Sequence, residues 1–289
     1  MARSASRTAK VLKEMGVEVE VFAWTRSLPP GELATELTGE DEIPVHRVGL
    51  FSNLDFSMQH LQNVIEWLHQ ERGFDAIWGH YLYPPGYMAV MQARLLGIKS
   101  TVSARGNDID RIMFPPGDFA RLSWTLEHAD LISCVSRDLA RKIDVLLGRE
   151  VGVRVIGNSV DLETFKPGNV DEELKASLQL PETELILGFC GELRQKKGFP
   201  FLLQALCEVN EKRPATLLVI GEIRPREQET LAEFAVDHPE EARRIRSTGV
   251  IDEPERVAAH LQLCDVVLQP SVWDGLPNAL LEAMACGRP

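Results

Sequence analysis

The chain has 289 residues, 44% of them hydrophobic and 26% charged, long enough for about two domains with a buried core each. A net charge of −12 and a pI near 5.1 exclude a general nucleic-acid binder, which carries a basic patch and a high pI. The five cysteines are widely spaced with no Cys-x-x-Cys pair; they read as buried thiols in a reducing compartment, not as a zinc site or disulfide framework, and no apolar stretch is long enough for a membrane span.

Residues 1–15 are rich in Arg, Ser, Ala and Lys, a composition shared with transit peptides. Val11, Leu12 and Met15, however, make an apolar helical face that runs into GVEVEVF at residues 16–22. Helix, glycine stop and alternating strand form an αβ unit, so the helix is assigned to the fold. Arg3, Arg7 and Lys10 share one face by their spacing; a solvated face is the plain reading, and contact with a membrane or an acceptor is the alternative.

Strand-like and helix-like stretches then alternate, the pattern of doubly wound parallel α/β sheets. Strands are predicted at residues 17–23, 45–48, 76–79, 100–104, 131–135 and 154–156. Helices are predicted at 57–72, 85–96, 119–128 and 136–147, the last with Ser136 as N-cap. A polar stretch at 169–184 closes a first domain, residues 1–168, and opens a second, 169–289. The second series runs strand 185–190, helix 199–212, strand 216–220, helix 227–238, a strand at Val250, helix 255–263, strand 266–268 and a terminal helix.

Four segments carry chemistry. DAIWGHYLYPPGY at 75–87 places His80 just past a strand end, where parallel sheets bind ligands; a structural and a functional histidine are both open there. SARGNDID at 103–110 brings Arg105, Gly106, Asn107 and Asp108 to the next strand end. LGFCGELRQKKG at 187–198 ends a strand in glycine and puts Arg194 and Lys197 ahead of a helix, cations suited to phosphate oxygens. The last segment, PSVWDGLPNALLEAMACGRP at 270–289, holds two carboxylates, Asp274 and Glu282, around a Gly-Leu-Pro-Asn turn that opens a helix. Pro277 suits the first helical position, the free N–H groups of a helix start suit a phosphate, Gly275 lets a ligand approach the backbone, and Glu282 can accept two ribose hydroxyls. Glu222, Glu227 and Glu229 read as a solvated acidic run.

The terminal segment resembles the Glu-x7-Glu motif of family 4 retaining glycosyltransferases, enzymes of the GT-B fold, with Asp274 in the first acid's place. That resemblance implies an α/β protein of two Rossmann-like doubly wound domains facing a cleft, here without a first strand and without C-terminal elements. It implies that Glu282, Arg194, Lys197 and the segment Gly275, Leu276, Pro277, Asn278 bind a nucleoside-diphosphate sugar. Asp274, Arg105 and Asp108 are the implied catalytic residues, and His80, Gly106 and Asn107 face the acceptor. Arg105 stands where the family commonly has His, and Arg is no base near neutrality; Glu192 stands where it has Arg. GEIRP at 221–225 lacks a second glycine the family often shows. Asn158 and Asp161 lie in a segment like the family's Pro-Asn-Gly-Val-Asp, with Gly157 and Ser159 as departures, and serve as turn caps or ligand contacts.

The expected reaction is retaining sugar transfer to an acceptor hydroxyl on a glycan or glycolipid, with no cofactor and no metal, since the sequence has no His-x-x-x-His and no Cys cluster. The expected setting is cytoplasmic, with peripheral contact at the inner membrane face. A sugar-nucleotide-binding relative without transferase activity, an incomplete chain and a sugar-nucleotide epimerase are the alternatives.

Overall fold

A computed structural model of the chain describes residues 3–38, 43–110 and 115–289. It divides into two compact units, Met1–Gly157 and Asn158–Pro289. In the first unit, β1 (Val21–Thr25), β2 (Leu33–Thr38) and β3 (Ile43–Gly49) form a sheet of order β1-β3-β2. β1 runs parallel to β3, and β2 runs antiparallel to it. A second sheet, entirely parallel, is ordered β4 (Ala76–His80), β5 (Lys99–Ala104), β6 (Leu131–Cys134), β7 (Arg154–Val155). The helices between these strands stop and start on sequence signals. Asn53 caps the helix Leu54–Arg72 by accepting the Asp55 N–H at 2.8 Å, and Gly73 ends it in the left-handed region. Ser136 caps Arg137–Leu147 through the Leu139 N–H, as predicted.

The second unit shows why its strands read as unbroken apolar runs. β8 (Leu185–Cys190) and β9 (Ala215–Ile220) pair in parallel, flanked by β10 (Ile245–Ser247) and β11 (Val266–Val267) in the order β10-β9-β8-β11. Successive side chains point to opposite faces. Leu187, Phe189, Leu217 and Val219 pack on the helix Phe199–Asn210 through Phe199, Leu202 and Leu206. Ile186, Cys190, Leu218 and Ile220 pack on the other side, against Val257 and Leu261 of the helix Pro254–Gln262 and Ala283 of the helix Asn278–Ala285. Both faces are covered, so neither side of the strand is polar. Phe165 joins this second core, 1% exposed, so residues 158–168, counted with the first domain from sequence, lie in the second unit.

Three other expectations are corrected. The helix Arg3–Glu14 turns Ala9 inward, whereas Val11 and, just past its end, Met15 are exposed and Leu12 is half-buried. Lys10 is exposed as expected, and the side chain of Arg3 lies outside the described residues. β2 was not predicted, because LATELT is an edge strand with few buried positions and shows no core alternation. The strand expected at Val250 lies at Ile245–Ser247, and Val250 itself is 67% exposed. All five cysteines are free, and four are buried. Among the described residues no helix is long and apolar enough to cross a membrane.

Both parallel sheets use the same device at a strand start. Asp130, ahead of β6, accepts the Ser100 N–H at 2.9 Å, and Asp265, ahead of β11, accepts the Ile186 N–H at 2.8 Å. Lys99 and the Ser100 backbone hold the Asp130 carboxyl down to about 2, below its ordinary 3.8. A depressed carboxyl stabilises the fold fully above the unfolded value and loses that contribution as pH falls through the folded one. The stability gap between wild type and Asp130→Asn should therefore close between about pH 4 and pH 2. Urea midpoints measured down that range check it, and a gap of constant size would contradict it.

Candidate functional site

At the carboxyl end of β8 the chain turns at Gly191, with φ +129°. Leu193 then adds a parallel bridge to Ile223, and its N–H donates to the Glu222 carbonyl at 2.8 Å. This bridge carries the sheet edge out to the short turn Gln195–Lys197. The Gln195 N–H donates to Glu227 Oε1 at 2.8 Å. Glu227 is 6% exposed, so it is not the solvated surface residue read from the sequence: its carboxylate fixes the basic turn from beneath. Gly198 follows at φ +80°, and a Cβ there would fall on the Pro270 carbonyl. The Val272 N–H donates to the Lys196 carbonyl at 3.0 Å. The loop after β11 is thus held against the loop after β8, and Lys197 Nζ bonds Asp274 Oδ2.

From Asp274 the chain enters the helix Asn278–Ala285. Asp274 Oδ1 accepts the Gly275 N–H at 3.1 Å, and Asn158 Nδ2 donates to the Leu276 carbonyl at 2.6 Å. Asp161 caps its own turn, accepting the Glu163 N–H and the Thr164 hydroxyl, each at 3.0 Å. Pro277 is the N-cap, one position earlier than predicted, and gives no side-chain cap. The first-turn N–H groups therefore lack the usual capping oxygen from the N-cap side chain. Glu282 is 3% exposed, a costly place for a carboxylate. Among the described residues of this unit four polar side-chain atoms are buried with no protein partner: Arg194 Nε, Gln269 Oε1, Asn278 Oδ1 and Arg288 Nε. Such atoms are rare in a finished fold and mark places where a ligand or water completes the bonding.

Glu192, the charge reversal noted above, pairs with Arg224 Nε and lies 3.6 Å from Arg194 Nη1. Its negative charge is met by two arginines. Arg224 was not singled out from the sequence, although its place in the Ile-Arg-Pro turn opposite the basic loop was a signal.

In the first unit, His80 ends β4, and Arg105 follows the end of β5. Ser4 Oγ lies 3.0 Å from His80 Nε2, while Nδ1 is buried with no protein partner. Burial, then the nearby Arg105 charge, lowers the His80 pKa to about 4, so the ring is neutral near pH 7. Asp108 is 3% exposed. Its carboxylate accepts the N–H groups of Gly106 at 2.8 Å, of Arg105 at 3.0 Å and of Leu82 at 3.1 Å. Burial raises its pKa and these bonds oppose the rise. Asp108 therefore ties the β4 and β5 loops together as a positioning group. The side chain of Asn107 lies outside the described residues. Ser4 was missed in sequence because its helix was judged by the wrong face.

The structure brings together Arg194, Lys197, Asp274, Gly275, Leu276, Pro277, Asn278 and Glu282 in one unit, and His80, Arg105, Gly106 and Asp108 in the other. Among the described residues no cluster of three or more His, Cys, Asp or Glu side chains is placed to hold a metal ion.

Residues 1–159 match the family model "Glycosyl transferase 4-like domain", and residues 184–289 match "Glycosyl transferases group 1". The chain is 27% identical over 241 residues to "Putative glycosyltransferase EpsF" of Bacillus subtilis, aligning 79% of its own length and spanning 60% of that relative. Its fold is similar to sucrose-phosphate synthase from Thermosynechococcus elongatus, with a TM-score of 0.78 at 18% identity over 99% of this chain and 73% of that one. It is also similar to Anabaena HepE in complex with UDP-glucose, with a TM-score of 0.71 at 18% identity over 93% and 79% of the two chains. These likenesses fix the fold class as α/β of the GT-B type.

Glu227 gives a direct test of how the basic turn is held. A hydrogen bond to a charged partner contributes about 1.5–3 kcal/mol. Glu227→Ala should raise the amide exchange rate of Gln195 by at least about tenfold, leaving β8 and β9 protected. Unchanged Gln195 exchange would mean that the carboxylate does not support the turn.

Proposed function

This chain belongs to the glycosyl transferase family of the 4-like and group 1 domains, and from that premise we propose that it transfers a sugar from a nucleoside-diphosphate sugar to an acceptor hydroxyl, with retention at the anomeric carbon. The observation that carries the reading is the junction of Lys197, Asp274 and a helix start without a side-chain cap at one sheet edge. Lys197 and Arg194 receive the diphosphate together with the N–H groups near Gly275, Leu276 and Asn278. Pro277 shapes that turn and has no N–H to give. Glu282 takes the ribose hydroxyls. Asp274, now bonded to Lys197, turns to the donor sugar's hydroxyls once phosphate occupies the lysine. UDP is the first nucleotide to try, because the similar HepE protein was solved with UDP-glucose.

In the transfer, the acceptor oxygen bonds to the anomeric carbon as the bond from that carbon to the diphosphate oxygen breaks. The electron pair leaves on the diphosphate, and the hydroxyl proton passes to a phosphate oxygen of the leaving group. Developing negative charge then falls on Lys197, Arg194 and oriented amides, the arrangement that stabilises a leaving anion most effectively in a site closed to water. No metal is required in this reading. The first unit, through His80 and the loop of Arg105, Gly106, Asn107 and Asp108, binds the acceptor; a glycan or glycolipid is the proposed class.

Thermal melts with UDP, GDP and ADP test the donor site. A nucleotide at a hundred times its Kd adds about 2.7 kcal/mol to the folded state. UDP should raise the midpoint of wild type. Glu282→Ala and the more exposed Lys197→Ala should each melt cooperatively and lose most of that rise. A cooperative wild-type melt that no nucleotide moves would contradict the proposal.

A further inference from the structure

The three-stranded sheet of the first unit holds a second group of reactive side chains. Glu20 stands just before β1, Thr35 lies on β2 and His46 on β3. His46 Nε2 is 2.8 Å from Glu20 Oε2, and His46 Nδ1 is 2.9 Å from Thr35 Oγ1. Arg72, at the end of the helix Leu54–Arg72, pairs with the other Glu20 oxygen. Phe22 stacks on the imidazole, with centroids 4.9 Å apart and planes at 29°, so the ring is fixed in plane as well as at both nitrogens. Hydroxyl, imidazole and carboxylate in this order form the arrangement that activates a nucleophile. The proton positions follow from the partners. A carboxylate only accepts hydrogen bonds, so Nε2 carries the proton of the neutral ring and donates it to Glu20. Nδ1 is then a lone pair, and the Thr35 hydroxyl donates to it.

A histidine held only for structure makes the same two bonds; two features of Thr35 go beyond that. His46 is 1% exposed, whereas Thr35 is exposed, so the hydroxyl stands between a buried base and solvent. The backbone supplies the other feature. Thr35 faces His46 across the antiparallel pair of β2 and β3. The Gly49 N–H donates to the Glu32 carbonyl at 2.9 Å, which makes those two opposed residues a hydrogen-bonded pair. Pairs alternate in kind along an antiparallel ladder, so Thr35 and His46, three residues on, are a pair of the other kind, whose N–H groups point away from each other. Because β2 ends its sheet, the Thr35 N–H points to the open edge, beside its own hydroxyl. A donor placed there can meet the oxyanion that forms when the hydroxyl adds to a carbonyl. Leu37, next on the same face of the strand, is 65% exposed and offers an apolar surface.

We propose that Thr35 is the nucleophile of a hydrolytic site separate from the transfer site, acting on carboxylic esters with a short apolar acyl chain, with His46 as base and Glu20 as the residue that positions it. Oγ1 adds to the ester carbonyl carbon as its proton passes to Nδ1. The bond from that carbon to the alcohol oxygen breaks, and the alcohol leaves with the proton from Nδ1. Water then adds to the acyl group on Thr35, its proton taking the same route, and the carboxylic acid leaves as the Thr35 hydroxyl is restored.

The test mixes the full chain with p-nitrophenyl butyrate, follows release of p-nitrophenol, and maps the acid-quenched protein by mass spectrometry. Wild type should turn the ester over and carry a butyryl group on Thr35. Thr35→Val, which removes the hydroxyl at an exposed position and leaves the buried His46 in place, should lose both. Thr35→Ser, a less hindered nucleophile, should keep both. His46→Gln should slow release at least about a hundredfold. Glu20→Gln should lower kcat with KM unchanged, and Glu20→Asp should recover part of the loss. The butyrate should be preferred to p-nitrophenyl acetate, and Leu37→Gln should remove that preference. Thermal melts establish that each variant is folded, and none of these readings depends on UDP binding. Butyryl groups on lysines alone, or folded Thr35→Val releasing p-nitrophenol as fast as wild type, would overturn the inference.

Discussion

The second unit's site depends on a contact with no room in it. Gly198 lies so close to the Pro270 carbonyl that a methyl group could not enter, and its φ of +80° is one that only glycine adopts without strain. That contact exists because β8 and β11 are parallel neighbours whose loops leave the same sheet edge. Parallel strands put successive loop ends side by side, and a crevice outside their carboxyl ends follows from topology alone. Glycine at the meeting point lets the basic loop and the acidic loop join, with the Lys196 carbonyl and the Val272 N–H completing the seam.

Once the loops join, charges meet. Lys197 takes Asp274, and Glu192 takes Arg224 and approaches Arg194. In both pairings a carboxylate occupies a cation that suits a phosphate. A diphosphate carries more charge and more acceptor oxygens than one carboxylate and competes well for the same cations. The unpaired atoms Arg194 Nε and Asn278 Oδ1 border those pairs in sequence. The first unit follows a different logic: its carboxylate, Asp108, is buried among backbone N–H groups and shapes the loops that display His80 and Arg105.

Much of this was legible in the residues. The runs LILGFC and ATLLVI, apolar but for Thr216, announce strands covered on both faces, because a two-sided core leaves no face for alternating polar positions. The acid–Gly–Pro–acid turn announces its own chemistry, because proline and glycine mark the helix start and Asp274 and Glu282 bracket it. What escaped depends on distance in sequence. Glu227 looks like any exposed acid in REQET until the fold sets it under Gln195, 32 residues away. Ser4 meets His80 across 76 residues, and nothing local to a Ser-rich helix signals that. β2 escaped because an edge strand needs little core pattern. The division at residue 157 was displaced because Phe165 follows a first-domain strand in the chain and packs in the second core.

The proposed transferase depends on the loops after β8 and β11 forming one nucleotide-sugar site. A crystal structure of the chain grown with UDP tests it most directly. Diphosphate oxygens should lie on Lys197 and on the N–H groups at the start of the helix Asn278–Ala285, with ribose hydroxyls on Glu282 and Lys197 parted from Asp274. Ordered UDP bound elsewhere, with the Lys197–Asp274 pair intact, would contradict it.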